Sequence, residues 1–180
     1  MTENAQSLLG AWSNFYVMTG SSAAALTGLM FVVLTLITGS ERVRRSHDGI
    51  ATFSTPTVLY FAAIMLLSAN FLAPWHWIWH AAVVAGAIGL YGVGHILKVM
   101  FMTRRLQTYT PDLEDWTWFS ILPFVSYAAI VAGAILLFSN PRTALFVVAG
   151  GIVLLLLIGI RNSWDVVTFI VMDDSQEPPA

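Results

Sequence analysis

The side chains able to do chemistry are few, and most of them are histidines or charges placed near apolar runs. In Trp75-His76-Trp77-Ile78-Trp79-His80 two imidazoles stand four residues apart, the spacing by which one helical turn offers two nitrogens to a metal. No third ligand follows nearby, and imidazoles between indoles also suit a membrane interface. His76 and His80 are therefore weak metal candidates, and no cofactor is expected. Tyr91, His95 and Lys98 share one helical face, and an ionisable group within an apolar helix raises a functional hypothesis by default. His95 lies close to the end of its apolar run, which favours a bond to another helix or a contact with Tyr91. Arg161 and Asp165 are four apart and spaced to pair on one helical face.

Other chemistries find no residues to use. The chain has no cysteine, which removes disulfides, thiolate metal sites and thiol nucleophiles. The metalloprotease, nucleophile-elbow and phosphate-loop patterns are absent, so an enzyme is not expected. The eight basic residues in a chain of net charge −2 form no stripe for nucleic acid. Haem ligation would use His80 and His95, fifteen residues or roughly 22 Å apart on one helix. Partner histidines would then have to come from a second copy or another subunit.

The elements that position these groups are membrane spans. At 57 % hydrophobic and 10 % charged residues, the 180-residue chain is far from the roughly 25 % charged norm of soluble domains. Tyr16 to Ile37 is twenty-two residues without a charge, about 33 Å of helix against a hydrocarbon core of ~30 Å. The reading is an all-α, polytopic integral membrane bundle forming one domain over 1–172. Five transmembrane helices are predicted, at about 16–37, 56–73, 81–102, 116–138 and 143–160, with a disordered acidic tail at 173–180.

Residues 5–16 either lie in the interface or lengthen the first helix. Thr55 is a predicted N-cap with Pro56 at the first helical position, and Pro74 ends that span before an aromatic belt of Trp75, Trp77 and Trp79. Asn70 is expected to bond a neighbouring helix or a headgroup. Thr110-Pro111 with Asp112, Glu114 and Asp115 reads as a helix start. Trp116, Trp118 and Phe119 make a second belt, and Pro123 should kink or loosen the helix. Asn140-Pro141 caps the last helix and makes the final two spans an antiparallel hairpin. From Arg142 to Met172 is thirty-one residues, about 46 Å as one helix and too long for one upright span. The last span is therefore expected to end near Arg161, with Val166 to Met172 along the inner surface.

With the N-terminus outside, Arg42, Arg44, Arg45, Lys98, Arg104, Arg105 and Arg161 fall at cytoplasmic ends and only Arg142 falls outside. That is the positive-inside arrangement, with the C-terminus in the cytoplasm. Two small-residue stripes, Gly20, Ala24, Gly28 and Ala82, Ala85, Gly86, Gly89, Gly92, let other helices approach closely. They point to a homo-oligomeric pore or conduit, or else to a structural or accessory subunit of a larger membrane complex, with a haem-holding subunit as a third reading. The expected partners are the lipid bilayer and further copies or other membrane subunits.

The pieces Trp12-x-x-Phe15-Tyr16, Gly20-x-x-Ala23-Ala24-Ala25-Leu26-Thr27-Gly28-Leu29-x-Phe31-Val32 and Asn162-x-Trp164 resemble a group of small bacterial multi-span membrane proteins of uncharacterised function. The resemblance implies a bacterial inner-membrane protein and carries no activity with it.

Overall fold

The computed structural model describes residues 5–38, 47–105 and 117–174, and all its elements are helices. They are α1 (Ala5–Gly10), α2 (Ser13–Thr38), α3 (His47–Leu72), α4 (Ile78–Arg105), a π-helical turn (Thr117–Ile121) leading into α5 (Leu122–Leu136), and α6 (Pro141–Asp174). The basic cluster at 41–45, the predicted helix start at Thr110 with its acidic turn, Trp116, and residues 175–180 of the tail lie outside the described residues.

Four segments are long and apolar enough to cross a membrane: Ser13–Val32, Ile78–Phe101, Thr117–Leu136 and Pro141–Asp165. This places the chain in the helical membrane class but corrects the expected count of five. The remaining apolar segment, Pro56–Leu72, is shorter, about 25 Å at ~1.5 Å per residue. The break at Ala73-Pro74 ends it on one side, and the upstream residues include His47 and Asp48. Pro56 is also not a helix start, because α3 begins at His47 and Pro56 lies inside it. A proline ring is tolerated within an apolar helix where neighbouring helices hold the backbone in place.

Every helix buries a face spaced at three and four residues, which is why the bundle closes. Along α3 that face is Thr57, Tyr60, Phe61, Ile64, Leu67, Ser68 and Phe71, all within 2 % of full burial. It lies against α2 on one side and α6 on the other. The tightest pairing is the α5–α6 hairpin, whose turn is set by Asn140: its Oδ1 accepts from the Thr143 N–H at 3.3 Å, and its carbonyl accepts from Ala144 at 3.0 Å. α4 closes the bundle against α5. α1 is a separate short helix: Trp12 N–H bonds back to Leu9 O at 3.0 Å, turning the chain before α2 and burying Leu8 and Leu9.

α6 corrects another expectation. Its 34 residues run unbroken through Val166–Met172 to Asp174, about 51 Å, so that segment continues the helix instead of turning along the surface, and Asp173 and Asp174 of the expected tail are helical. The cause is local. No Gly or Pro follows Gly159 within the helix, and Ser163 and Thr168 hydroxyls bond back to the Gly159 and Trp164 carbonyls at 2.7 and 3.0 Å, keeping their donors inside the helix.

Candidate functional site

A group of polar side chains gathers where α5 begins and α6 emerges. Pro123 has no N–H and its ring crowds the preceding turn, and the chain just before it, Thr117–Ile121, is wound as a π-turn. Such widened turns recur at functional sites. Ser126 Oγ caps the Leu122 carbonyl at 2.9 Å. The loosening expected at Pro123 is thus present, one turn ahead of it. Trp118, carried by the π-turn, lies under Arg161, whose guanidinium carbon is 4.2 Å from the indole centroid. Arg161 Nε is 3.7 Å from Asp165 Oδ2, with the two side chains 37 % and 48 % exposed. The predicted pair is therefore brought together, at the rim of the bundle.

Next to Arg161, Asn162 turns inward. It is 2 % exposed, and neither its amide nitrogen nor its oxygen has a hydrogen-bond partner. One turn earlier Gly159 packs so closely on Phe61 of α3 that an added Cβ would stand 2.5 Å from the ring. Sequence reasoning treated Asn162 as part of a motif and not as a site residue. The signal was available: Val148, Ile152, Leu155, Gly159 and Asn162 follow one helical face.

At the opposite end the chain between Leu72 and Ile78 is not helical. His76 lies in this bend and α4 starts only at Ile78, so His76 and His80 do not share a helical turn, contrary to the metal-pair spacing. The break follows from Pro74, which cannot continue α3. His80 stacks between Trp75 (5.5 Å, 15°) and Trp79 (3.6 Å, 28°). Trp75 is itself fixed, its Nε1 donating to Asn70 O at 2.7 Å, while Asn70 Nδ2 donates to Ala81 O at 3.0 Å. Asn70 thus ties α3 to α4, one of the two roles foreseen for it. A surface cup of about 610 Å³ opens among Ala73, Pro74, Trp75, His76, Trp77 and His80. Among the described residues no three His, Cys, Asp or Glu side chains converge as a metal site.

The two small-residue stripes part company. On α4, Ala82 and Ala85 are buried, an added Cβ on Gly86 would meet Ala134 at 3.6 Å and one on Gly89 would meet Val131 at 2.8 Å, while one on Gly92 would enter the Tyr127 ring. This stripe is the seat of α5. On α2 only Gly20 is in such contact, 2.9 Å from Ser68 Cβ; Ala24 is exposed, and Gly28 faces open space. The buried face of α2 is instead Tyr16, Thr19, Ala23 and Met30, with Thr19 Oγ1 3.2 Å from Ser68 Oγ of α3. The predicted stripe is offset from it because a spacing of four drifts around a helix of 3.6 residues per turn. An open groove of about 320 Å³ runs between α2 and α3, lined by Tyr16, Val17, Gly20, Ser21, Ala24, Met65, Ser68, Ala69 and Leu72.

Tyr91, His95 and Lys98 lie on the outward side of α4. Tyr91 is 69 % exposed and its ring stacks on His95 at 6.4 Å and 19°, the contact foreseen for His95. No catalytic dyad, carboxylate pair or phosphate cradle forms among the described residues. Comparison with protein-family models, with curated proteins and with solved structures yields no match.

Proposed function

We propose that this chain is a non-catalytic membrane protein acting as a homo-oligomer, whose copies meet through the α2–α3 groove and enclose a conduit between them. The observation that carries the reading is the groove itself, floored by Gly20, Ala24, Ser68 and Ala69. Small residues there admit a further helix to near backbone contact, and no described helix of this chain occupies the space. The interior of the single bundle is filled by large side chains such as Tyr60, Phe61, Ile130, Leu145 and Ile152, so a path through it is not the natural place for a conduit. If the Pro56–Leu72 segment crosses together with the four longer ones, seven of eight basic residues group at one set of helix ends, which supports an N-terminus outside and a C-terminus in the cytoplasm. The resemblance of the first helix and of Asn162-x-Trp164 supports a bacterial inner membrane.

Native mass spectrometry of the detergent-solubilised protein tests the proposal. A single homo-oligomer is expected, and Ala24→Leu, which fills the groove, should dissociate it while leaving the thermal midpoint of the subunit in place. A monomer that co-purifies with other membrane chains would instead favour an accessory subunit using the same groove.

A further inference from the structure

The outward face of α4 carries a cation with no partner among the described residues. Lys98 is exposed, and no hydrogen bond or ion pair reaches it among the described residues. It stands three residues before Phe101, where the apolar part of α4 ends, about 5 Å along the axis. Its stem can therefore lie along the helix while the ammonium reaches the interface. Half-buried His95 is one turn deeper, and at Gly94 an added Cβ would meet no atom within 4 Å. Below this polar rim the surface is apolar and uncovered, with Leu90 62 %, Leu97 38 % and Phe101 65 % exposed. A cation above an open apolar strip calls for an occupant with an anionic head and apolar tails. Along its membrane-crossing segments a second copy would offer one carboxylate, Asp165, which is already 3.7 Å from Arg161, so the apolar strip beside Lys98 is matched by lipid chains.

We propose that the α4 face at Lys98 and His95 binds an anionic phospholipid, its phosphate at Lys98 and its chains along Leu90, Leu97 and Phe101. The site is separate from the α2–α3 groove, so it holds whether or not copies associate there. The test strips the purified protein of lipid, adds phosphatidylglycerol or phosphatidylcholine of identical chains, and counts retained lipid by native mass spectrometry. Phosphatidylglycerol should be retained in preference, Lys98→Gln should lower its retention about fivefold, the effect of one basic residue near an anionic surface, and Lys98→Arg should preserve it. Arg142→Gln, at the other end of the bundle, should change nothing. Equal retention of the two lipids, an unaffected Lys98→Gln variant, or an equal loss with Arg142→Gln would overturn the proposal. So would displacement of the lipid by excess inorganic phosphate, which would mark the site as one for a free anion. A drop in thermal stability of Lys98→Gln before lipid is added would do so too, by showing that the lysine is held within the chain.

Discussion

A methyl group on Gly92 would enter the Tyr127 ring, whereas one on Gly28 would meet nothing within 4 Å, although both residues are helical glycines in small-residue stripes. Gly92→Ala should therefore destabilise the subunit by about 1–3 kcal/mol, the cost of forcing atoms into a packed site. Gly28→Ala should be neutral or gain up to about 1 kcal/mol from helix propensity. Thermal unfolding of both variants in one detergent checks the pair, and equal effects would mean that α4 and α2 are packed alike. The sequence made both stripes visible but not their partners, because spacing tells which residues share a face and not which neighbour that face meets. The same limit hid Asn162. Its buried amide, unbonded at both ends among the described residues, costs roughly 1–3 kcal/mol if it stays unpaired, so Asn162→Leu, which keeps the branched shape with a larger apolar side chain, should raise the thermal midpoint. A fall would show that water or a ligand completes the amide's bonds.

The length of α6 sets what its charged pair can do. About twenty residues cover a hydrocarbon core of ~30 Å, so a helix starting at Pro141 reaches the far boundary near Ile160, and Arg161 stands at that boundary while the helix continues outward to Asp174. The sequence pointed to Arg161 as the end of the span but not to the unbroken helix beyond it, since hydroxyls that bond back within the helix leave no mark in hydropathy. Exposure of 37 % and 48 % and a 3.7 Å separation make Arg161–Asp165 a solvent-screened pair, for which a coupling below about 1 kcal/mol is expected. Arg161 has a second contact in the Trp118 ring at 4.2 Å, worth about 0.5–1 kcal/mol at an exposed site. A double-mutant cycle with Arg161→Gln and Asp165→Asn should consequently show little coupling. A cycle with Arg161→Gln and Trp118→Leu should show at least as much. Coupling of roughly 2 kcal/mol or more between Arg161 and Asp165, in the range of contacting buried groups, would place the pair inside the protein.

At the scale of the molecule the open matter is how a chain with four long apolar helices and one shorter one is threaded. The short helix decides it. If the Pro56–Leu72 segment crosses no membrane, α2 alone separates α1 from the loop after α3 and the two face opposite sides; if it crosses, α1 and that loop face the same side. The packing of α3 is that of an interior helix. α3 is buried from Phe61, which fits against Gly159 of α6, to Asn70, which bonds the start of α4, and α2 and α6 lie along it on two sides. It is enclosed by helices long enough to span, and the seventeen residues of its apolar segment stand at the lower limit of what covers a hydrocarbon core. In either case the crossings of α4 and α5 put the Trp75–Trp77 bend and the Ser139 turn on one side, away from Lys98, Arg104, Arg105 and Arg161. The absence of cysteine makes this directly measurable, since each introduced thiol is the sole one. Trp77→Cys and Ser139→Cys, both exposed positions, should react with a membrane-impermeant maleimide from outside intact cells, and a reporter fused after Ala180 should read as cytoplasmic. Gln6→Cys, exposed on α1, decides α3: labelling from the same side as Trp77→Cys would make α3 a span, protection of Gln6→Cys beside a labelled Trp77→Cys would leave four spans, and protection of Trp77→Cys and Ser139→Cys with an external reporter signal would invert the orientation.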